Sequence, residues 1–312
     1  MAYSKSDVHV SAPLSDFALR YLQDQSTFIA DKVLPPLRVS KESDKYFTFD
    51  RGNWRTGDDK RAPGTKPNRT NSPELSTDTY SIDEHALYDI VPFRVIDEAD
   101  APLQPEQDAV VDITEQLLVN KEAQVAATVF ATASVAQYTS LATASKWGYT
   151  TTTTPLVNME TAAAAVIQTV GKRPNKATIG FEVWTVLKNH ADILDRIKYT
   201  QKGVLSPDLV ASCMDLDELL VGSAVYMSTP EGISSEATAF IWGKNVNLAY
   251  VNPRPAKKAM SFGYQFVKQT GNVRVKRWEV KEEDGVWVEA GLYYDDKIVS
   301  TNCGYTIFGA VA

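Results

Sequence analysis

Residues 50 to 79 constrain the fold of this chain most, because thirty consecutive positions carry almost no aliphatic side chain. The segment separates two stretches of strand character, Lys45 to Phe49 and Tyr80 to Val91, in which apolar and polar residues alternate. Structureless loops beyond ~12 to 15 residues are uncommon in compact domains unless they are functional or disordered. The sequence therefore predicts a long hairpin arm that becomes ordered on a partner, with a mobile solvent loop as the alternative.

The charges of this arm favour a protein as its partner. Fully extended halves would reach ~50 Å at ~3.3 Å per residue. A nucleic-acid partner would favour basic residues without acids among them, whereas here the two signs are mixed. The candidate contact residues are the basic ones, Arg51, Arg55, Lys60, Arg61, Lys66 and Arg69, which lie among Asp50, Asp58, Asp59 and Glu74.

A second arm is predicted at the N-terminus. Apolar residues recur at roughly helical spacing from Leu14 to Ile29, and Pro35 with Pro36 ends the helix. Its apolar stripe is partial, which is typical of a helix that docks on its own chain or on another. Phe17 and Tyr21 are therefore further candidates for contacts between subunits.

A long amphipathic helix is predicted from Glu106 to Phe130, ~37 Å in length at 1.5 Å per residue. Val111, Leu118 and Val125 are seven residues apart on its apolar face, and the charged residues, Glu122 among them, are expected mainly elsewhere. Three such positions are too few for a coiled coil. The Ser/Thr/Ala-rich stretch 133 to 155 that follows predicts a surface loop.

A compact α/β unit is predicted next. Asn158 is the expected N-cap of a helix that ends at Gly171, Lys176 to Gly180 is a short strand, and Glu182 opens another helix. Its residues form no recognisable catalytic or ligand-binding pattern, so the unit is expected to be a rigid platform.

Residues 203 to 258 predict a smaller α/β subdomain. A helix begins at Ser206 and Pro207, and two alternating segments follow, separated by a turn that contains Glu231, another contact candidate. The C-terminal part predicts strands: a bulge near Lys276 and Arg277, a hairpin turn at Asp284 and Gly285, then strict alternation. The alternating residues are Val286, Val288, Ala290 and Leu292.

No catalytic, cofactor-binding or metal-binding residue is predicted. His190 with Asp192 and Asp195 suggests an acid-base or metal cluster, but a solvated helix end is the favoured interpretation. Cys213 and Cys303 lack metal spacing and are expected to be ordinary thiols. The net charge of −7 argues against a surface that broadly binds nucleic acid. The absence of a membrane-length apolar run or secretory signal predicts a soluble cytoplasmic product.

The order of these elements resembles the major capsid proteins of tailed bacteriophages, which have the α+β Hong Kong 97-like fold. The stretches GKRPNKATIGFEVWTVLKNHADILDRIKYTQKG and IWGKNVNLAYVNPRPA are similar to that family, and RAPGT lies where its extended loop is rich in Arg and Pro. The resemblance implies an N-arm (1–44), an extended E-loop (45–92) over a neighbouring subunit, a P-domain (93–202 and 259–312) with spine helix 106–130, and an inserted A-domain (203–258).

The resemblance also implies a mechanical function. Pentamers and hexamers of this chain would close into an icosahedral shell around double-stranded DNA, which is enclosed without sequence-specific binding. The expected partners are further copies of the chain, a separate scaffolding protein, a portal and a possible cement protein, with no membrane. The expected location is the virion capsid, assembled in the host cytoplasm. The alternatives are an encapsulin-like compartment that holds cargo enzymes and, from another class, a soluble α/β enzyme.

Overall fold

A computed structural model gives the architecture of the chain. It describes residues 23–49, 54, 56, 59–68, 75–99, 103–148, 153–197, 205–229, 232, 237–256, 259–268 and 274–312. The predicted contacts Phe17, Tyr21, Arg51, Arg55, Arg69 and Glu231 lie outside these residues.

Seven α-helices are formed by the described residues. They are α1 (Ala30–Val33), α2 (Phe93–Glu98), α3 (Pro105–Val129), α4 (Pro155–Val170), α5 (Phe181–Leu187), α6 (Ala191–Ile197) and α7 (Pro207–Cys213). No helix in the described part of the chain combines the length and apolar character needed to cross a membrane.

Fourteen strands are described. They are β1 (Pro36–Val39), β2 (Ser43–Phe49), β3 (Leu75–Ser81), β4 (Asp83–Pro92), β5 (Gln137–Ser140), β6 (Lys176–Gly180), β7 (Glu218–Gly222), β8 (Val225–Met227), β9 (Thr238–Phe240), β10 (Val246–Ala249), β11 (Gly263–Lys268), β12 (Arg274–Val280), β13 (Gly285–Ile298) and β14 (Gly304–Phe308).

The long helix α3 packs on a five-stranded sheet built around β13. The sheet has the order β1-β11-β13-β12, and β4 pairs with the opposite edge of β13. Ile113 and Leu117 of the helix pack with Ala290 and Leu292 of β13. The alternation predicted for β13 is confirmed, because Val286, Val288, Ala290 and Leu292 are all buried.

A second five-stranded sheet has the order β5-β14-β10-β6-β7. Strand β6 runs parallel to β7 and antiparallel to β10. The predicted subdomain 203–258 contributes β7 and β10 to this sheet, whereas β5, β6 and β14 come from the segments predicted as the P-domain. Helices α4, α5 and α7 bury Met159, Val183 and Val210 in the same core as this sheet.

Several predicted boundaries are confirmed. Helix α3 agrees with its prediction to within one residue at each end. Gly171 caps α4 with φ of 67°, a left-handed conformation that glycine adopts without steric cost. Ser206 caps α7, where its hydroxyl accepts a bond from the backbone N–H of Leu209. The strand predicted at Lys176 to Gly180 is β6.

Two predictions upstream of α4 are wrong. The helix begins at Pro155 with Thr154 as its N-cap residue, so Asn158 is inside it; proline suits the first helical position because that N–H has no helical partner. The predicted surface loop 133 to 155 contains β5 at a sheet edge and Trp147, which is 1% exposed.

Two predictions about which side chains share a face of an element are also wrong. Strand β12 has no bulge, because its pairing with β13 is continuous from Arg274 to Val280. Strand β12 is an edge strand and exposes both Val275 and Trp278. The positions of its apolar residues therefore do not indicate which side of the strand faces the core. Val111 of α3 is 41% exposed, and the buried stripe of that helix runs instead through Ile113 and Leu117.

Candidate functional site

The described side chains do not assemble a recognisable catalytic group. The His85 ring stacks on Tyr294 with centroids 4.2 Å apart. His190 is 6% exposed, its Nε2 lies 3.0 Å from Thr153 Oγ1, and its Nδ1 accepts from the backbone N–H of Asp192. The solvated helix end predicted for His190 is therefore wrong, since the ring is buried and accepts at the start of α6. Within the described ranges, no group of three or more His, Cys, Asp or Glu is placed to hold a metal ion.

Two surface pockets among the described residues are small. One pocket of about 150 Å³ lies between β4 and α3 and includes His85 and Gln124; another of about 150 Å³ lies beside Tyr305. Small-molecule sites usually measure ~300 to 1,000 Å³. These pockets do not suit a substrate, so the extended surfaces of the chain are the better candidates for function.

The hairpin formed by β2 and β3 is the main extended surface. Its strands pair in register from Ser43 with Ser81 to Phe49 with Leu75. The base of the hairpin is held by aromatic rings: Tyr80 stacks on Phe266 with centroids 4.3 Å apart, and Tyr46 stacks on the same ring at 5.7 Å. The base of the hairpin is thus packed on β11.

A polar pair strengthens this base. The Tyr46 hydroxyl donates to Asp78 Oδ2 at 2.7 Å. This bond, with a second from the Thr79 backbone, holds the pKa of Asp78 below its usual value. Burial, followed by the bond to Asp78, raises the pKa of Tyr46.

Tyr46→Phe is expected to lower the free energy of unfolding by roughly 1 to 2 kcal/mol at neutral pH, because one bond to a charged acceptor is lost. A lowered native pKa gives Asp78 a stabilising contribution above its unfolded pKa, and this is lost as pH falls through the native value. The variant should therefore differ from the parent at pH 7 and converge with it in acid. Urea unfolding across pH measures this; an equal difference at every pH would contradict it.

The tip of the hairpin arm is closed by its own hydrogen bonds. The Thr65 backbone N–H and hydroxyl both donate to the Ala62 carbonyl, and Arg61 Nε donates to the Thr65 carbonyl. Pro63 and Gly64, with φ of 83° at Gly64, suit the two central positions of a type II turn. Residues 59 to 68 are all exposed, and these include the predicted contact residues Lys60, Arg61 and Lys66.

The arm also meets its own chain at Gly171. A Cβ built on this glycine would lie 3.0 Å from the Trp54 ring. Gly171 therefore allows both the end of α4 and the close approach of Trp54, which stays 50% exposed.

The N-terminal arm is anchored by a buried carboxylate. Glu122 of α3 is 1% exposed, and its Oε1 accepts from the Ile29 backbone N–H at 2.8 Å and from Trp242 Nε1 at 2.6 Å. Its Oε2 accepts from the Ala30 backbone N–H at 2.9 Å. Burial raises the pKa of Glu122, and the three donors act against that rise.

Sequence reasoning missed Glu122 by placing it on the polar face of the long helix. The available signal was spacing, since Glu122 lies four residues after Leu118 and three before Val125, within the apolar stripe. The carboxylate connects the arm, the long helix and the region of Trp242.

A second contact extends this anchor. The Gln23 side chain donates to the Val225 carbonyl at 2.8 Å and accepts from the Val225 N–H at 3.1 Å. The amide therefore forms the same pair of bonds with Val225 that the backbone of an adjacent strand forms. The Gln23 backbone N–H donates to Glu115 of α3 at 2.7 Å. The arm therefore crosses the long helix and reaches β8.

Asp296 is a buried carboxyl that is only partly hydrogen-bonded. Its Oδ1 accepts from Gln265 Nε2 at 2.8 Å, while its buried Oδ2 has no partner among the described residues. Burial raises the pKa of Asp296 to about 6, the Gln265 bond and Lys121 lower it, and Asp295 raises it further.

Asp296→Asn is expected to flatten the pH dependence of stability between about pH 4 and pH 6. Because the native pKa is raised from 3.8 to about 6, the contribution of Asp296 to stability is fully present below about pH 4, is lost as pH rises from there to about 6, and is constant above that. The parent should lose on the order of 1 to 3 kcal/mol more than the variant over this range. Urea unfolding at several pH values measures the difference, and parallel curves for the two proteins would contradict it.

Two curated phage proteins are similar to this chain along most of its length, and no family model matches the sequence. The "Major capsid protein" of Burkholderia phage BcepMu is 28% identical over 308 residues, covering 96% of each chain. The "Major capsid protein" of Pseudomonas phage JBD67 is 25% identical over 256 residues, covering 79% of each.

Solved structures share the fold. A phage-related protein from Bordetella bronchiseptica RB50 has a TM-score of 0.70 at 24% identity and covers 92% of this chain and 93% of its own. The capsid of cyanophage P-SCSP1u has a TM-score of 0.58 at 11% identity, with full coverage of both chains. An encapsulin from Synechococcus elongatus PCC 7942 has a TM-score of 0.51 at 10% identity and covers 100% of this chain and 96% of its own. The predicted α+β Hong Kong 97-like fold is confirmed.

Proposed function

We propose that this chain, a homologue of phage major capsid proteins with their Hong Kong 97-like fold, builds a closed capsid shell from many copies of itself. The observation that carries the proposal is the end-to-end likeness to the capsid protein of phage BcepMu, which includes the hairpin arm and the long helix. A likeness confined to one domain would support much less.

The hairpin arm supplies a physical route to assembly. Its base packs on Phe266, whereas residues 59 to 68 are exposed and have no core of their own. Such a segment gains stability only by burying surface on another molecule. Contacts between different surfaces of identical subunits generate rings or closed shells.

The finer architecture is part of the proposal. The copies form pentamers and hexamers of an icosahedral shell, with 45–92 over a neighbour and 203–258 at the symmetry axes. Double-stranded DNA is enclosed, and a scaffolding protein, a portal and a cement protein act with the shell in the host cytoplasm. The net charge of −7 suits a container, because a strongly basic wall would bind packaged DNA tightly.

Two alternatives are weaker. An encapsulin-like compartment shares the fold, but the curated relatives are phage capsid proteins. An α/β enzyme would need convergent polar groups in a pocket of substrate size, and the relatives are structural proteins.

The experiment expresses the chain alone and together with a candidate scaffolding protein, then sizes and images the product. Rings, tubes or shells are expected, and a stable monomer under both conditions would contradict the proposal. Particles from infected cells should protect double-stranded DNA from nuclease; an enzyme cargo in its place would favour the encapsulin alternative.

A further inference from the structure

Basic residues converge at one end of the β5-β14-β10-β6-β7 sheet. The sheet ends at the row in which Lys176 of β6 pairs with Ala249 of β10 and with Glu218 of β7. Residues 171 to 175 lead into β6 at this row, and residues 250 to 254 follow β10. These segments, with the first residue of β6 and the end of α1, carry five basic residues, called here the basic pole: Lys32, Lys172, Arg173, Lys176 and Arg254.

Hydrogen bonds hold these segments together. Asn175 Nδ2 donates to the Val251 carbonyl at 2.9 Å, and the Val251 N–H donates to Asn175 Oδ1 at 2.8 Å. Lys176 Nζ donates to the Lys32 carbonyl at 2.9 Å and so connects the sheet to α1. The backbone that carries the basic pole is therefore already ordered, and a ligand that meets the pole does not have to order it on binding.

Lys172 and Arg254 are the most accessible cations of the pole. Both are exposed. Lys172 Nζ lies 4.7 Å from the centre of the Tyr250 ring and 3.3 Å from the Tyr250 hydroxyl. Arg254 lies between Pro253 and Pro255, whose rings restrict the backbone on either side of it. A guanidinium matches a phosphate group with two parallel bonds, and an ammonium binds it as a point charge.

Acidic residues neutralise only part of the pole. Arg173 pairs with Asp215, and Lys176 Nζ lies 3.0 Å from Glu218 Oε2. With Asp217, which lies between these two acids in the chain, five bases and three acids leave a local net charge of 5 − 3 = +2 on a chain whose net charge is −7. The other three cations make no ion pair within the part of the chain that the structure describes: Lys32, Lys172 and Arg254.

The phosphates of a nucleic-acid duplex fit the pole better than the carboxylates of an acidic protein segment. A duplex carries one negative charge per ~1.7 Å of its axis, at positions that are fixed before binding. Each carboxylate of a flexible segment would instead lose side-chain freedom for every ion pair that it forms. A small surface with a net charge of +2 therefore gains more from the duplex.

We propose that the basic pole contacts the phosphate backbone of the enclosed double-stranded DNA, so that this end of the sheet faces the interior of the shell. This inference rests on the proposed shell function and names the surface of each copy that meets the DNA. Contacts to phosphates carry no sequence information, so the DNA is held without regard to its sequence. The small charge of the pole keeps each contact weak and sensitive to salt.

Fluorescence anisotropy of the full chain with a short labelled DNA duplex tests the contact. Lys172→Glu with Arg254→Glu is expected to weaken binding at least about tenfold at low salt, with the fold retained by circular dichroism. Lys281→Glu with Arg94→Glu is the matched control, because it changes the net charge equally at exposed residues outside the pole; a loss below about threefold is expected. Equal weakening by the two variants, no binding by the parent, or tighter binding of poly-glutamate than of the duplex would overturn the proposal.

Acetylation of lysines in assembled particles separates this inference from the shell function. Lys172 is expected to react at least about threefold more slowly in particles that contain DNA than in particles without it, because phosphates cover its ammonium group. Lys281 should react equally in both. Equal reactivity of Lys172 in the two kinds of particle would overturn the DNA contact and leave the shell function standing, whereas failure of the chain to form particles with any scaffold would overturn both.

Discussion

Glu122→Ala is expected to lower the free energy of unfolding by roughly 3 to 5 kcal/mol, a large fraction of the ~5 to 15 kcal/mol typical of a domain. The substitution leaves three buried donors without an acceptor: the backbone N–H groups of Ile29 and Ala30, and Trp242 Nε1. Each such donor costs about 1 to 3 kcal/mol. Relief of the buried charge offsets part of this loss, since burial raises the pKa of Glu122.

The measurement is urea unfolding followed by circular dichroism, with Gln116→Ala as control. Gln116 lies on the exposed side of the same helix, so its replacement should change stability by less than about 0.5 kcal/mol. Glu122→Gln should fall between the parent and Glu122→Ala, because the amide keeps one carbonyl acceptor. Glu122→Ala within about 0.5 kcal/mol of the parent would show that the anchor contributes little to stability.

Replacing residues 50 to 74 by Asn-Gly is expected to abolish particle formation while the subunit stays folded. The outermost pair of the hairpin is Phe49 with Leu75, so a two-residue turn can join the strands there. The contacts of Tyr46 and Tyr80 with Phe266 are retained. The variant loses the segment that has no core of its own and, with it, the contact of Trp54 at Gly171.

Circular dichroism with thermal unfolding tests the subunit, and electron microscopy of the assembly reaction tests the particles. Ala62→Ser keeps the arm and should assemble as the parent does. Normal shells from the shortened chain would contradict the role of the arm in joining subunits, and an unfolded shortened chain would contradict the independence of its base.

Elements with a regular apolar stripe were predictable from the sequence. The long helix and β13 are examples, because Ile113 and Leu117 of the helix pack with Ala290 and Leu292 of the strand. Caps were also predictable where one residue type fits the geometry, as at Gly171 and Ser206.

Other features depend on contacts distant in the sequence. Strand β5 is short and lies in a Ser/Thr/Ala-rich stretch, and it forms only because β14 provides an edge beside it. The alternation of β4 does not reveal that Leu87 packs inward while Tyr88 is 56% exposed. Glu122 is buried because its donors come from residues about ninety positions upstream and 120 downstream.

The sequence indicated only that the candidate contact residues are exposed, and it did not indicate which of them contact a neighbouring copy. Exposure of Lys60, Arg61 and Lys66 agrees with a tip that lacks aliphatic residues. Their intersubunit role stays a prediction, as do those of Arg51, Arg55, Arg69, Phe17, Tyr21 and Glu231.

The central claim is that copies of this chain join through the hairpin arm to form a closed shell, and cryo-electron microscopy of the assembled product tests it most directly. The predicted result is a shell of pentamers and hexamers in which residues 59 to 68 of each copy lie on a neighbouring copy. A product that remains monomeric, or a shell in which the arm contacts only its own chain, would contradict the account.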